Sequence, residues 1–130
     1  MIILQYMGRA IILALIAGLI IKLFLFDFMI TSGHSMDPTV KDGSVLIINR
    51  IKYGLRFPWQ KNFLVRWSVP KQGELIIFYT PSGDIAIKRC QQIHEGLLSV
   101  YGDNTLNSYD SRVYGQIPVE NVIGKVLGYK

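Results

Sequence analysis

At 130 residues the chain has room for one domain and is too small for a multidomain enzyme, and 14 Lys plus Arg against 9 Asp plus Glu leave it at +5. A single cysteine, Cys90, rules out an internal disulfide framework, and with only His34 and His94 beside it no zinc-type ligand spacing exists. With 12% aromatic and only 18% charged residues the chain can bury enough surface to offset its ordering entropy, which excludes a disordered segment.

The chain opens on its most apolar stretch: in residues 1–30 only Gln5, Gly8, Arg9, Gly18, Lys22 and Asp27 are not apolar. Residues 10–30 as a helix reach about 31 Å, the thickness of a bilayer's hydrocarbon core. Lys22 can snorkel outward and Asp27 falls near the headgroups, so the span tolerates both charges. Arg9 ahead of the run places that end in the cytoplasm by the positive-inside bias, and the rest of the chain across the membrane. A cleaved signal peptide is the rival reading, but the run is long for one and no small-x-small site follows it. The expected division is an anchor over residues 1–30 and a β-rich domain over residues 31–130.

Directly after the anchor comes Ser32-Gly33-His34-Ser35-Met36-Asp37-Pro38-Thr39, a small-residue loop stiffened by Pro38. Ser35 needs a base to act as a nucleophile, and His34 is badly placed, because neighbouring side chains of an extended segment point to opposite faces. Short β-branched runs then follow at residues 44–49, 74–79, 84–90, 97–101 and 122–127, each too short for a helix. Thr80-Pro81-Ser82-Gly83 has the chemistry of a tight turn and predicts an antiparallel hairpin between the second and third runs.

Between the first two runs, residues 50–71 hold Arg50, Lys52, Arg56, Lys61, Arg66 and Lys71 with no acid, interleaved with Phe57, Trp59, Phe63 and Trp67. This pattern fits a solvated ribbon with some aromatics on the core, or a contact with the bilayer interface. Nucleic acid is disfavoured, since the expected orientation puts the segment on the side that lacks it.

In the third run Ala86, Lys88 and Cys90 share one face of an extended strand, so the Lys88 amine has small apolar neighbours and can be poorly solvated. Desolvation lowers a lysine pKa; from a reference near 10.4 about 0.4% is neutral at pH 8, and a fall of about two units raises that to nearly 30%. His94 lies among Gln91, Gln92 and Glu95, where a solvated imidazole is the expected state.

Taken together, the anchor, Ser-Met-x-Pro-Thr at residues 35–39, the Gly-acid-apolar strand at 73–78, Lys88-Arg89, Gly102-Asp103-Asn104, Ser108-x-Asp110-Ser111-Arg112, Gly115-x-Ile117-Pro118 and Ile123-Gly124-Lys125 resemble the type I signal peptidases over nearly the whole chain. These are membrane-anchored Ser/Lys endopeptidases that remove signal peptides from exported preproteins at the outer face of the bacterial plasma membrane, without metal or cofactor. The resemblance implies a mainly β fold, a small antiparallel sheet or barrel-like catalytic domain preceded by one transmembrane helix.

It implies Ser35 as nucleophile and neutral Lys88 as base. Ser108 would orient the lysine, Asp110 and Arg112 would form a buried pair holding that loop, and Asp103 would belong to the turn before it. The oxyanion would meet the backbone N–H of Ser35; where some members carry a hydroxyl two residues earlier, this chain has Gly33, so a side-chain donor is missing unless Ser32 or a water replaces it. Met36, Ile85 and Ile87 are candidates for pockets that accept small side chains.

The chain departs from the family pattern in the shorter Gln91–Gly96 turn, in Thr105 where an Arg is common, and in lacking room for a second β-domain. Expected partners are signal-peptide-bearing preproteins and the bilayer, with no nucleic acid; the sequence does not fix the oligomeric state, and a monomer is expected. A maturation peptidase dedicated to one substrate, and an inactive anchored β-module binding peptide or lipid, are the competing readings.

Overall fold

A computed structural model describes residues 1–130. Helix α1 (Ile2–Ile20) passes into a single π-helical turn, Ile21–Leu25, giving 24 continuous helical residues, and none of α1 is buried. At 1.5 Å per residue these extend about 36 Å, enough to cross a hydrocarbon core. The helix therefore starts earlier and ends sooner than expected from residues 10–30. Arg9 lies within it, and Phe26–Ile30 form a strand, β1. Hydropathy cannot separate the two, because FDFMI continues the apolar run; the strand wins because it pairs along its whole length with β2 (Val45–Asn49), from Phe26↔Asn49 to Ile30↔Val45. No linker separates helix from sheet.

The remaining strands are β3 (Gly54–Leu55), β4 (Val65–Arg66), β5 (Leu75–Tyr79), β6 (Ile85–His94), β7 (Leu97–Tyr101), β8 (Ile117–Pro118) and β9 (Val122–Tyr129), with one short helix, α2 (Ser111–Tyr114). Seven of the nine strands form an antiparallel sheet in the order β1-β2-β9-β5-β6-β7-β8, and β3 and β4 make a separate two-stranded ribbon. The expected mainly β, antiparallel fold with one apolar helix is the fold observed.

The run at residues 74–79 reads as continuously apolar because β5 is central and buried on both faces. Leu75 and Ile77 join Met36, Leu46, Ile48 and Ile123 on one side; Ile76 and Phe78 join Tyr53, Cys90, Leu98 and Val100 on the other. The expected hairpin forms, with Gly83 at φ 92° closing the turn through its N–H to the Thr80 carbonyl at 2.9 Å. The next turn is tighter than the sequence suggested. β6 continues through Gln91, Gln92 and Ile93 to His94, leaving only Glu95 (φ 50°) and Gly96 (φ 77°) to reverse the chain, the left-handed pair that a two-residue hairpin requires.

Two features of this topology make a cleft. β7 pairs only with Arg89–His94 of β6, so the outer edge of Ile85–Lys88 has no partner, and β1 is the terminal strand at the other side of the sheet. The sheet curls until these two free edges face one another across a cleft of about 420 Å³.

Candidate active site

Met29, Ile30, Thr31 and Ser32 form one wall of the cleft, and Ile85, Ala86, Ile87 and Lys88 the other; Leu46 and Ile77 close its base, and Ser35 opens into it. Lys88 is only 5% exposed. Its Nζ lies 2.9 Å from Ser35 Oγ and 3.0 Å from the Ile87 carbonyl oxygen. Burial pulls the Lys88 amine below its ordinary value, and the Asp110 carboxylate opposes that shift in part. A hydroxyl and a desolvated amine are thus in contact at a groove bordered by two free strand edges, an arrangement with the geometry that nucleophilic catalysis requires.

What holds Ser35 against Lys88 is a chain of contacts starting one residue beyond the lysine. Arg89 forks onto Asp103, Nε to Oδ1 at 2.9 Å and Nη2 to Oδ2 at 2.6 Å, and its Nη1 donates to the Gly73 carbonyl. That pairing holds the Asp103 carboxyl below its usual range. Asn104, next in the chain, donates its backbone N–H to the Ser35 carbonyl at 2.9 Å and its Nδ2 to the His34 carbonyl at 2.9 Å. The Ser35 loop is thereby tied to β6, the strand that carries Lys88.

Asp110 anchors the same region from behind and is fully buried. It caps α2 and accepts from Arg112 through Nε at 2.9 Å, Nη2 at 2.6 Å and the backbone N–H at 3.1 Å, from Gly102 N–H at 2.9 Å, and from Ser108 Oγ at 2.7 Å. Burial alone would raise its pKa, but these donors outweigh it and hold the carboxyl far below the usual range. Ser111 Oγ bonds both the N–H and the carbonyl of Val100, fixing α2 to β7. Asp110→Asn leaves these donors facing a neutral amide and is expected to cost about 2 kcal/mol, read as a lowered denaturation midpoint. Because the carboxyl pKa is depressed on folding, the stabilisation is complete above the ordinary aspartate range and is lost as pH falls toward the native value. The asparagine variant should therefore lose less stability on acidification than the parent.

Two site expectations are corrected. Ser108 does not bond the lysine: its hydroxyl goes to Asp110, a charged acceptor, and Lys88 uses Ser35 and the Ile87 carbonyl instead. Met36 is 2% exposed and packs in the core rather than in the cleft wall, because the backbone that turns Ser35 toward Lys88 turns its neighbour inward. Ile85 and Ile87 do line the cleft.

His34 is exposed and bonds Asp37 through Nδ1 at 2.9 Å, away from Ser35, and His94 is exposed beside Glu95. Gly33 adopts φ 99°, and its N–H is taken by Asp42 Oδ1 at 2.8 Å. The Ser35 N–H has no acceptor in the protein. Of the other hydroxyls on the cleft wall, Thr31 Oγ1 donates to the Lys41 carbonyl, which leaves Ser32 uncommitted.

Asn104 and Gly102 both serve the contact between the Ser35 loop and the loop after β7. A Cβ on Gly102 would overlap the Ser108 side chain and the Ser35 carbonyl, so this glycine is the space through which the two loops touch. Only the Gly-Asp-Asn sequence itself hinted at either residue.

The family model described as "Signal peptidase, peptidase S26" matches residues 4–91 and 85–128. Signal peptidase I of Pseudomonas aeruginosa is 28% identical over 126 residues, covering 93% of this chain and 42% of that protein. Signal peptidase I of Bacillus caldolyticus is 24% identical over 145 residues, covering 82% of this chain and 80% of its own length. Mitochondrial inner membrane protease subunit 1 of Xenopus tropicalis is 26% identical over 115 residues, covering 79% and 68%. The chain thus spans less than half of the Pseudomonas relative and most of the Bacillus one.

Proposed function

From the premise that the chain belongs to the signal peptidase family, peptidase S26, we propose that it is a membrane-anchored serine endopeptidase that cuts signal peptides from exported preproteins with Ser35 as nucleophile and Lys88 as base. The observation that carries this reading is the 2.9 Å contact of Lys88 Nζ with Ser35 Oγ in a peptide-sized cleft.

In the neutral state one Lys88 N–H stays on the Ile87 carbonyl, and the nitrogen lone pair receives the Ser35 proton as Oγ bonds to the scissile carbonyl carbon. The C–N bond then breaks, and the ammonium returns that proton to the leaving amine. A water, deprotonated by the same amine, hydrolyses the acyl-enzyme. The free Ser35 N–H meets the developing oxyanion, with the Ser32 hydroxyl as the second donor in place of the one Gly33 lacks.

A substrate in extended form adds a strand between the free edges of β1 and β6. Isoleucine, leucine and methionine walls around this small cleft favour short side chains flanking the scissile bond, hence cleavage after small-x-small sequences. Arg9 toward the start of the helix supports an N-in orientation with the cleft at the outer face, where translocated signal peptides arrive.

A second reading keeps the same chemistry in a peptidase dedicated to one substrate. The test of both is cleavage of a panel of preproteins by the full chain in detergent, with new N-termini mapped by mass spectrometry and single-turnover rates measured from pH 6 to 10. Many substrates cut after small-x-small support the general enzyme; one support the dedicated one; none, from folded protein, overturns both. Because the neutral amine is the active form and its pKa is depressed, the rate should rise with pH and level off below the ordinary lysine range. A pH-independent rate would remove Lys88 as the titrating base.

A further inference from the structure

The cleft has a closed end. The free edge of β6 covers only Ile85–Lys88, because from Arg89 onward β7 occupies the same edge, with Tyr101 opposite Arg89. A strand bound along the cleft would therefore lie end to end with β7. Past Tyr101 the chain turns off at Gly102, and Asn104 comes to rest on the Ser35 loop, through its backbone N–H to the Ser35 carbonyl and its Nδ2 to the His34 carbonyl. The cleft thus ends where Ser35 and Lys88 stand. It accommodates one side of a scissile bond, and the other side has to rise over residues 103–109.

The outer surface there is uncharged and apolar. Asp103 is taken by Arg89 and the buried Asp110 by Arg112, and Asn104–Tyr109 between them carry no charge. Leu106 is 97% exposed, Tyr109 69%, and Val113 on α2 63%. A single exposed leucine is ordinary, but large apolar side chains gathered at residues 106–113, directly beyond the closed end of a peptide-sized cleft, mark a contact surface. The Tyr109 ring is also held from behind. It meets Tyr114 edge-on with centroids 5.3 Å apart, and Tyr114 packs against the core. A braced ring offers contact area at little ordering cost.

We infer that Leu106, Tyr109 and Val113 form the binding surface for the substrate residues that follow the scissile bond, and that this surface selects an extended segment with uncharged, apolar side chains. The occupant is the substrate itself, because the polypeptide is continuous through the bond that Ser35 attacks and has to cross this surface to leave the cleft. The inference rests on the peptidase reading, in which the residues ahead of the cut fill the cleft. To the selection of small side chains ahead of the cut it adds a selection of what comes after.

The test uses the full chain in detergent and one preprotein in two forms that differ only in about four residues after the cut, leucine-rich or glutamine-rich, a stretch of ~13 Å when extended. The parent should cut the leucine-rich form with a kcat/KM about fivefold higher, the scale of partly burying one or two apolar side chains on an open surface. Leu106→Ser with Tyr109→Ser should bring that ratio to about one. Contact is read separately in Ser35→Ala protein, which holds the preprotein uncut, with a benzophenone side chain placed in the preprotein either ahead of the cut or behind it. The probe behind the cut should label residues 104–113, and the probe ahead of it the cleft walls at Met29 or Ile85. Labelling of the cleft walls by the forward probe, with the rear probe found instead around Asp37 and Lys41, on a second copy of the chain or on detergent, overturns the inference and leaves the peptidase reading standing. Equal kcat/KM for the two forms in the parent, or a ratio that the folded double variant keeps, overturns the apolar contact. No cleavage by folded parent, with neither probe labelling the cleft, is instead the failure of the peptidase reading.

Discussion

Ser35→Ala should lower kcat for preprotein cleavage by about 10³-fold or more with little change in thermal midpoint. The hydroxyl makes one hydrogen bond, to Lys88, and its loss leaves the amine on the Ile87 carbonyl and the Ser35 loop still held through its backbone by Asn104. Two substitutions at Lys88 divide the base from the charge. Lys88→Arg keeps a cation that does not deprotonate in the working range, and Lys88→Met keeps the length without the amine; both should be as inactive as Ser35→Ala. They should differ in stability. The native site penalises a protonated amine, so the parent is least stable, relative to an uncharged side chain, below the native Lys88 pKa. Met at this position should therefore raise the denaturation midpoint at neutral pH, and the gain should vanish above the ordinary lysine pKa, where the amine is neutral in both folded and unfolded chains. Cleavage by Lys88→Arg at the parent rate would mean that the residue contributes charge and not base catalysis.

The fold was legible where side-chain pattern and backbone state coincide. Short β-branched runs and turn chemistry mark β5, β6 and their hairpin, and the alternation of a strand puts Lys88 on the face of Ala86 and Cys90, where it is buried. It was not legible at Phe26–Ile30, because a strand that follows an apolar helix and pairs in an apolar sheet has the same composition as more helix. Met36 and Ser108 failed for a different reason. Neither the resemblance that points Ser108 at the lysine nor the apolar character that suggests Met36 for a pocket contains the deciding quantity, which is direction: Met36 points to the core, and Ser108 finds in Asp110 a charged acceptor it prefers to an amine. The contribution of Asn104 depends on two loops meeting across 70 residues of sequence, and no local pattern carries that.

Gly102→Ala tests that meeting of loops and should cost about 10²-fold in kcat/KM, the scale expected when a reacting group is displaced by about 1 Å. Gly102 is not at a positive φ, so alanine is acceptable to the backbone itself; the cost is entirely one of space. The added methyl would sit inside the Ser108 side chain and the Ser35 carbonyl oxygen. Ser108 cannot retreat without leaving Asp110, and Gly102 cannot retreat without breaking its own N–H bond to the same carboxylate, which the Arg112 fork holds in place. The Ser35 backbone is the least restrained party, held here by the Asn104 N–H at 2.9 Å, so it moves, and Oγ leaves Lys88. Asn104→Ala, which removes the Nδ2 bond to His34 but keeps the backbone bond to Ser35, should cost far less. A Gly102→Ala protein with parental activity would show that the Ser35 loop yields without carrying the hydroxyl away from the amine, and that the rigid clamp drawn from Arg89 through Asp103 to Asn104 does not control the geometry of the pair.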